Sequence, residues 1–196
     1  MMKALVIGFV LLFGSAAFAQ IDPKIEVSGN YSYMRFNPEN SNVIGSFSLN
    51  GGGGAFTYFF TDEIGIKAEF EGYGSAQRRL AATGTTVQAS LSTYNVGPFV
   101  KYRHGRFQPF GEAMFGGAHS NAYVNLCKVS GACVGSPSNN AFDFIIGGGL
   151  DVPVTPSISI RPAEIDFVLT RFGNAYTGGN NNQSNFRYQA GVIFTF

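Results

Sequence analysis

The chain has 196 residues, among them 26 Gly, 20 Phe and 9 Tyr, and only 13% of the residues are charged. Lys and Arg number 13 against 12 Asp and Glu, so no basic excess could hold nucleic acid by releasing its counterions. Beyond the first residues, no apolar run approaches the roughly 20 residues that a membrane-spanning helix needs. Composition and charge therefore exclude a nucleic-acid-binding protein and a helical membrane protein.

The N-terminal segment, residues 1–19, is predicted to be a signal peptide. Lys3 supplies the positive start, residues 4–13 are apolar, and Ala17-Phe18-Ala19 is a small-x-small cleavage site before Gln20. The apolar run is too short to span a membrane as a helix. We expect cleavage near Ala19-Gln20 and a single mature domain at 20–196. The loss of Lys3 leaves that domain with a formal net charge of zero.

Apolar and polar side chains alternate with a period of two, which predicts strands with one apolar and one polar face. Eight such segments follow one another: 24–36, 46–60, 64–72, 91–103, 107–119, 141–152, 157–171 and 186–196. The connections between them alternate between long and short. Short turns at one rim and long loops at the other, with an even number of strands, are typical of a transmembrane β-barrel.

Three irregularities interrupt the predicted strands. Pro98 cannot donate to the strand ladder and predicts a bulge. In the seventh strand Ile158 and Ile160 share one face, whereas Ile165 continues the apolar set on odd positions, so one extra residue is predicted near 162–163. The four glycines at 51–54 lack the Gly-Lys-Ser/Thr sequence and the helix of a phosphate loop. They predict a tightly curved strand or closely approaching backbones.

Charged side chains cluster on the polar faces of the strands. In a membrane barrel the apolar faces contact lipid, so the polar faces point inward. The predicted inward charges are Glu26, Lys67, Glu69, Glu71, Lys101, Arg103, Glu112, Asp143, Asp151, Arg161, Glu164, Asp166 and Arg187. An eight-stranded barrel is only wide enough to be filled by side chains, so these charges are expected to pair into a network. Such a plug argues against a wide pore and leaves a narrow, gated conductance open. Neighbouring carboxylates such as Glu69 and Glu71 could also serve acid–base catalysis, but an ion-paired plug is the preferred interpretation.

Two further groups of residues are candidate chemical sites. Cys127 and Cys133 lie in one long connection, and an oxidising compartment favours a disulfide worth about 2 kcal/mol. Free thiols are the next alternative, and zinc the last, since only His119 is near enough to be a further ligand. His119 and Ser120 are similar to the catalytic His and Ser of outer-membrane lipid A deacylases. Those residues stand two apart, whereas adjacent residues point to opposite faces of a strand.

The closing segment, FRYQAGVIFTF, resembles the C-terminal strand of bacterial outer-membrane β-barrels, which the barrel assembly machinery reads as an insertion signal. The apolar face of that segment consists of Tyr188, Ala190, Val192, Phe194 and Phe196. The segments EVSGNYSYMRF (26–36) and GPFVKYRHGRFQPFGEAMFGGAH (97–119) carry the rest of the likeness. Over 24–196 the chain is similar to the small outer-membrane β-barrel family, which includes the transmembrane domain of OmpA.

This resemblance implies an integral protein in the outer membrane of a Gram-negative bacterium. It also implies porin-like antiparallel strands, both termini at the periplasmic side, and lipopolysaccharide as the surrounding lipid. The family's peptidoglycan-binding domain does not follow Phe196, so no wall-tethering role is expected.

The predicted fold is therefore all-β: an eight-stranded antiparallel up-and-down transmembrane β-barrel. We expect a monomer with a structural or surface-interaction role exercised through its four loops, with no catalytic activity and no cofactor. Three alternatives stay open: a narrow small-solute channel, an outer-membrane lipid-modifying enzyme, and a soluble periplasmic lipocalin-like binding barrel. In the last of these the apolar faces would line a cavity.

Overall fold

A computed structural model describes residues 24–37, 47–79, 86–120, 140–171 and 182–196. These residues form eight strands: β1 (Ile25–Phe36), β2 (Phe47–Phe59), β3 (Ile64–Arg79), β4 (Thr86–Lys101), β5 (Gln108–Ser120), β6 (Asn140–Thr155), β7 (Ile158–Arg171) and β8 (Gln183–Thr195). Within the same ranges, no helix has the length and apolar character needed to cross a membrane. The predicted signal peptide and the Cys127–Cys133 pair lie outside the described residues.

Each strand pairs antiparallel with the next, and β8 pairs with β1 to close the barrel. The seam runs from Glu26 opposite Thr195 to Arg35 opposite Phe186. Next to the Glu26–Thr195 pair, Phe196 N donates to Ile25 O at 2.9 Å. The predicted eight-stranded antiparallel up-and-down barrel is thus confirmed.

The two ends of the barrel differ in their connections. At one end, here called the turn end, the short connections 60–63, 102–107 and 156–157 lie beside Lys24 and Phe196. At the other, the loop end, the strands are joined by 37–46, 80–85, 121–139 and 172–182. The predicted long connection 73–90 was wrong in extent, because β3 and β4 continue to pair as far as Arg79 opposite Thr86. Backbone hydrogen bonding between the two strands extends them where the side-chain alternation has faded.

The bulge predicted near 162–163 is confirmed. Across β7 and β8 the register passes from Arg161 opposite Gly191 to Glu164 opposite Gln189, so β7 carries one extra residue. The extra residue corrects the side-chain parity, and Arg161 and Glu164 both face the lumen. On the outer wall the Tyr188 hydroxyl donates to the Pro162 carbonyl at 2.7 Å and satisfies an acceptor within the bulge.

The bulge predicted at Pro98 is wrong. The pairs Val96–Phe115 and Phe99–Glu112 keep one register, and Pro98 itself stays paired with Ile66 on β3. Pro98 thus interrupts the ladder toward β5 without adding a residue. A register shift that the sequence did not predict lies instead between Tyr73 and Ala76 of β3.

The two faces of the wall differ in polarity as a membrane barrel requires. Large apolar side chains on the outer wall are exposed, among them Val27, Phe56, Ile66, Phe70, Val96, Phe115, Ile146, Phe167 and Phe194. The charged side chains of the middle parts of the strands point inward and are buried. Arg35 and Arg171, near the loop-end termini of β1 and β7, are exposed. A lipocalin-like soluble barrel needs the reverse arrangement, so the structure argues against that alternative.

Two apolar clusters inside the lumen were not predicted. One lies toward the loop end and contains Met34, Leu49, Tyr73, Leu91, Met114, Ala118, Ile145 and Val168. The other lies at the turn end, where the Phe99 ring is 5.1 Å from that of Phe110 and 5.9 Å from that of Phe59. Between them runs a charged layer. Along β3, for example, Lys67, Glu69 and Glu71 precede Tyr73.

Candidate functional site

The charged layer of the lumen is the most distinctive cluster of side chains in the barrel. Twelve of the thirteen charged residues predicted to face inward are at most 5% exposed: Glu26, Lys67, Glu69, Glu71, Lys101, Glu112, Asp143, Asp151, Arg161, Glu164, Asp166 and Arg187. The thirteenth, Arg103, lies nearer the turn end with its side chain 17% exposed. The structure brings most of them together as ion pairs.

Lys67 lies at the centre of this layer. Its Nζ is 2.8 Å from Glu112, 3.0 Å from Glu69 and 3.2 Å from Glu164. These three carboxylates are supplied by β5, β3 and β7, so the ammonium group ties three different strands across the lumen. Neighbouring glycines make room for such long side chains: a Cβ at Gly53 on β2 would lie 2.7 Å from the Glu71 carboxyl.

Arg187 on β8 is the second hub and is fully buried. Its Nε donates to Asp166 at 2.8 Å, and its Nη1 donates to Glu69. Its Nη2 lies 3.6 Å from Glu164 and 3.8 Å from Glu112. The guanidinium therefore shares three of its carboxylate partners with the Lys67 ammonium.

A second group of ion pairs lies nearer the turn end. Lys101 Nζ is 2.7 Å from both Glu26 and Asp151. Arg161 binds Asp151 through two parallel hydrogen bonds of 2.7 and 3.0 Å, a geometry that holds both side chains in one orientation. Arg161 also donates to Glu164 at 2.7 Å, which joins this group to the Lys67 centre.

Aromatic rings of the turn-end cluster pack against the cations on the side of the charged layer that faces the turn end. The Arg103 guanidinium lies 4.0 Å from the Phe59 ring centroid, and that of Arg161 lies 4.0 Å from the Phe110 centroid. Cations over aromatic faces are attracted by the ring quadrupole. The ionic layer is thus closed by aromatic rings on one side and by the apolar cluster on the other.

Two carboxylates of the lumen differ from the others because amides rather than cations bind them. Asn30 Nδ2 donates to Glu71 at 2.6 Å, and Asn95 Nδ2 donates to Asp143 at 3.0 Å. Strand parity places both asparagines on the inward face, since Asn30 shares a face with Glu26 and Asn95 with Lys101. Only the two acids were predicted as site residues, because parity does not show which side chains bind them.

The one group of three acidic side chains that could hold a metal, among the described residues, is already occupied by a cation. Oxygen atoms of Glu69, Glu112 and Glu164 lie within 4.8 Å of one another. The Lys67 ammonium sits within 3.2 Å of all three carboxylates. The positive charge that these three carboxylates require is therefore supplied by the Lys67 ammonium.

The His119–Ser120 pair does not form a catalytic arrangement. His119 is half-buried on the outer side of β5, where its Nδ1 is 2.8 Å from Asn140 Oδ1, whereas Ser120 is buried on the lumen side. Adjacent strand residues point to opposite faces, as the sequence indicated.

The outer wall carries aromatic side chains toward both ends. At the turn end Phe60, Tyr102, Phe107 and Phe196 are each more than half exposed. Aromatic belts of this kind flank the apolar band of a membrane barrel. The predicted assembly signal also faces outward, with Val192, Phe194 and Phe196 exposed and Tyr188 and Ala190 half-buried.

Formal charge is distributed unevenly along the barrel. Among the described residues, the loop-end strand termini hold four basic residues, Arg35, Arg78, Arg79 and Arg171, and no acid, an excess of four positive charges. The lumen holds eight carboxylates against five cations, an excess of three negative charges. A chain that is almost neutral overall thus has a positive end and a negative interior.

A closed barrel with an apolar outer wall, aromatic belts and a charged interior defines an integral outer-membrane β-barrel. The family model of the outer membrane protein beta-barrel domain matches residues 5–196, so the chain belongs to this family. Comparison with curated protein sequences gave no significant match.

Solved structures share the fold at low sequence identity. Neisserial surface protein A is similar with a TM-score of 0.64 and 12% identity, over 88% of this chain and 97% of that one. Ail, the attachment invasion locus protein of Yersinia pestis, gives 0.54 and 13% in its complex with the heparin analogue sucrose octasulfate, over 90% and 100%. The outer membrane protein AlkL, studied in DMPC bilayers, gives 0.52 and 12%, over 94% and 95%.

Proposed function

We propose that the protein is a non-catalytic surface protein whose loop end binds anionic groups, in the first place the phosphates of lipopolysaccharide in the outer leaflet. The observation that carries this proposal is the excess of four positive charges at the loop end. Positive side chains near a membrane surface attract anionic head groups, each contributing about 1 kcal/mol.

The positions of Arg35 and Arg171 favour a lipid phosphate. Both side chains are exposed near the loop-end termini of β1 and β7, on the same outer face as Tyr31 and Phe167 respectively. Arginines that follow an apolar wall in this way can extend their guanidinium groups to the head-group layer while their stems stay on apolar surface. The loop end would then face the outside and the turn end the periplasm.

The filled lumen supports a role at the surface over one inside the barrel. Buried ion pairs and two apolar clusters occupy the interior, and their carboxylates are engaged by cations or amides. This packing disfavours both the small-solute channel and a catalytic carboxylate pair. We further propose that the protein is a monomer and that its outward C-terminal residues are what the barrel assembly machinery recognises.

Titration of the purified barrel with lipopolysaccharide tests the proposal. The unfolding temperature in a zwitterionic detergent should rise as lipopolysaccharide is added, because a ligand that binds only the folded state stabilises it. The double variant Arg35→Gln/Arg171→Gln should lose about 2 kcal/mol of binding, roughly a thirtyfold weaker affinity. Arg106→Gln, an exposed arginine at the turn end, is the matched control and should bind as the wild type does.

A parallel titration with heparin distinguishes the source of the anion. Ail has been crystallised with a sulfated ligand of this kind, so a soluble polyanion is the second candidate. Dependence on the two arginines with heparin but not with lipopolysaccharide would identify a soluble polysaccharide as the partner. Equal binding of both anions by the double variant would overturn the proposal.

A further inference from the structure

The interior of the barrel has more negative than positive charge. The five lumen cations make ion pairs with six of the eight carboxylates: Glu26, Glu69, Glu112, Asp151, Glu164 and Asp166. Glu71 and Asp143 have no ionic partner among the described residues. A buried carboxylate without a compensating positive charge is strongly destabilising, so each of these two groups has to be neutralised by a further cation or by a proton.

Asp143 has an oxygen atom for which the described residues supply no hydrogen-bond donor. Asn95 Nδ2 donates to Asp143 Oδ2, but Asp143 Oδ1 is buried and has no hydrogen-bond partner in the part of the chain that the structure describes. The same is true of Asn95 Oδ1 and Thr93 Oγ1, which are also buried. The three residues are 0%, 5% and 1% exposed, respectively. Asp143, Asn95 and Thr93 thus each have one buried oxygen atom without a hydrogen-bond partner among the described residues.

The strand register places these residues side by side. Thr93 and Asn95 stand two residues apart on the inward face of β4, and Asn95 pairs with Gly116 of β5, which in turn pairs with Asp143 of β6. A Cβ at Gly116 would lie 2.6 Å from Asn95 Oδ1, so the glycine leaves this part of the wall without a side chain. Leu91, the next inward residue of β4, belongs to the apolar cluster and offers no hydrogen-bond donor.

We propose that Asp143 Oδ1, Asn95 Oδ1 and Thr93 Oγ1 bind a hard metal cation inside the barrel. Carboxylate, amide and hydroxyl oxygens are the ligands that alkali-metal and alkaline-earth ions prefer. The bound ion offsets part of the negative excess, as the Lys67 ammonium does for Glu69, Glu112 and Glu164. Glu71 has a bond from Asn30 but no comparable set of unsatisfied neutral oxygens, so the site is assigned to Asp143.

Cation titrations of the folded barrel test this site. The purified protein is held in detergent with choline chloride, and sodium, potassium or calcium chloride replaces it at constant ionic strength. The unfolding temperature should rise saturably with at least one metal ion, because that ion binds only the folded barrel. The three salts distinguish a monovalent from a divalent ion.

Two variants and a control locate the effect. Asp143→Asn should abolish the saturable rise, and Thr93→Val should weaken the apparent affinity by about tenfold or more without changing any charge. Asp62→Asn, in an exposed turn, should titrate as the wild type does. If Asp143→Asn does not fold, Thr93→Val decides alone.

Either of two results would overturn the proposal. The first is a saturable rise that Thr93→Val leaves unchanged, since the ion would then bind elsewhere. The second is an unfolding temperature that responds to none of the three ions, in which case a proton rather than a metal ion neutralises Asp143.

Discussion

Lys67 shows how much a single side chain can contribute to this barrel. Substitution by Met would leave Glu69, Glu112 and Glu164 buried without their shared ammonium. We expect Lys67→Met to lower the free energy of unfolding by about 3–5 kcal/mol, the effect of breaking a buried ion pair from one side. Because the chain contains no Trp, the urea midpoint is best followed by the mobility difference between folded and unfolded protein on gels. Arg106→Met is the exposed control, and an unchanged midpoint for Lys67→Met would contradict the expectation.

Tyr188 offers a smaller effect on the outer wall. Its hydroxyl is the donor to the Pro162 carbonyl within the β7 bulge. Tyr188→Phe should destabilise the barrel by about 1 kcal/mol, because an acceptor at a lipid-facing position loses its hydrogen bond. Tyr58→Phe, also on the outer wall, removes a hydroxyl for which the described residues show no hydrogen bond. Equal urea midpoints for the two variants would show that the Tyr188 bond contributes nothing.

Side-chain parity predicts which residues face inward but not which of them meet. Each charged residue could be assigned to one face of its strand from the sequence, because odd and even positions of a strand point to opposite faces. The contact of Lys67 with Glu164, by contrast, depends on how far each strand is staggered against the next around the barrel. Phe59 and Phe99 occupy inward positions of otherwise polar faces, so alternation alone gave no reason to expect an aromatic cluster there.

The β7 bulge is the strand irregularity that the sequence specifies most clearly. Deleting Ala163 should remove the extra residue, so that either Arg161 or Glu164 and Asp166 must face lipid. An Arg moved to the lipid face costs about 2–4 kcal/mol near the middle of the membrane, and an Asp or Glu costs less. We expect no folded, fast-migrating band for this deletion. Deleting Gly178, in the connection 172–182, is the control and should leave that band in place; a folded barrel from the Ala163 deletion would show that the register is not fixed there.

Two of the four prolines that lie within the strands, Pro98 and Pro162, explain why bulges are only partly predictable. Both remove a backbone donor, yet Pro162 accompanies a change of parity in the apolar pattern and Pro98 does not. The parity change was the informative signal, and the missing donor alone was not. The ends of β3 and β4 were missed for a related reason: near Ala76 and Ala89 the pairing is between backbones, which side-chain alternation does not report.

For the whole molecule, the filled lumen predicts a barrel that does not conduct. Folded protein, identified by a fast-migrating unboiled band, should produce no current steps in planar bilayers beyond those of the protein-free membrane. The reason is that ion pairs and two apolar clusters occupy the interior from the turn end to the loop end. Reproducible steps from such a preparation would show that the interior rearranges, and would return the narrow channel to consideration.

The seam between β1 and β8 also sets the order in which this protein can be completed. Glu26 of β1 lies opposite Thr195 of β8, so the ring cannot close until β8 has been synthesised. Until then β1 has an edge with unpaired backbone groups, to which another chain could bind. Pairing of β8 with β1 is therefore the step that converts an open sheet into a closed barrel.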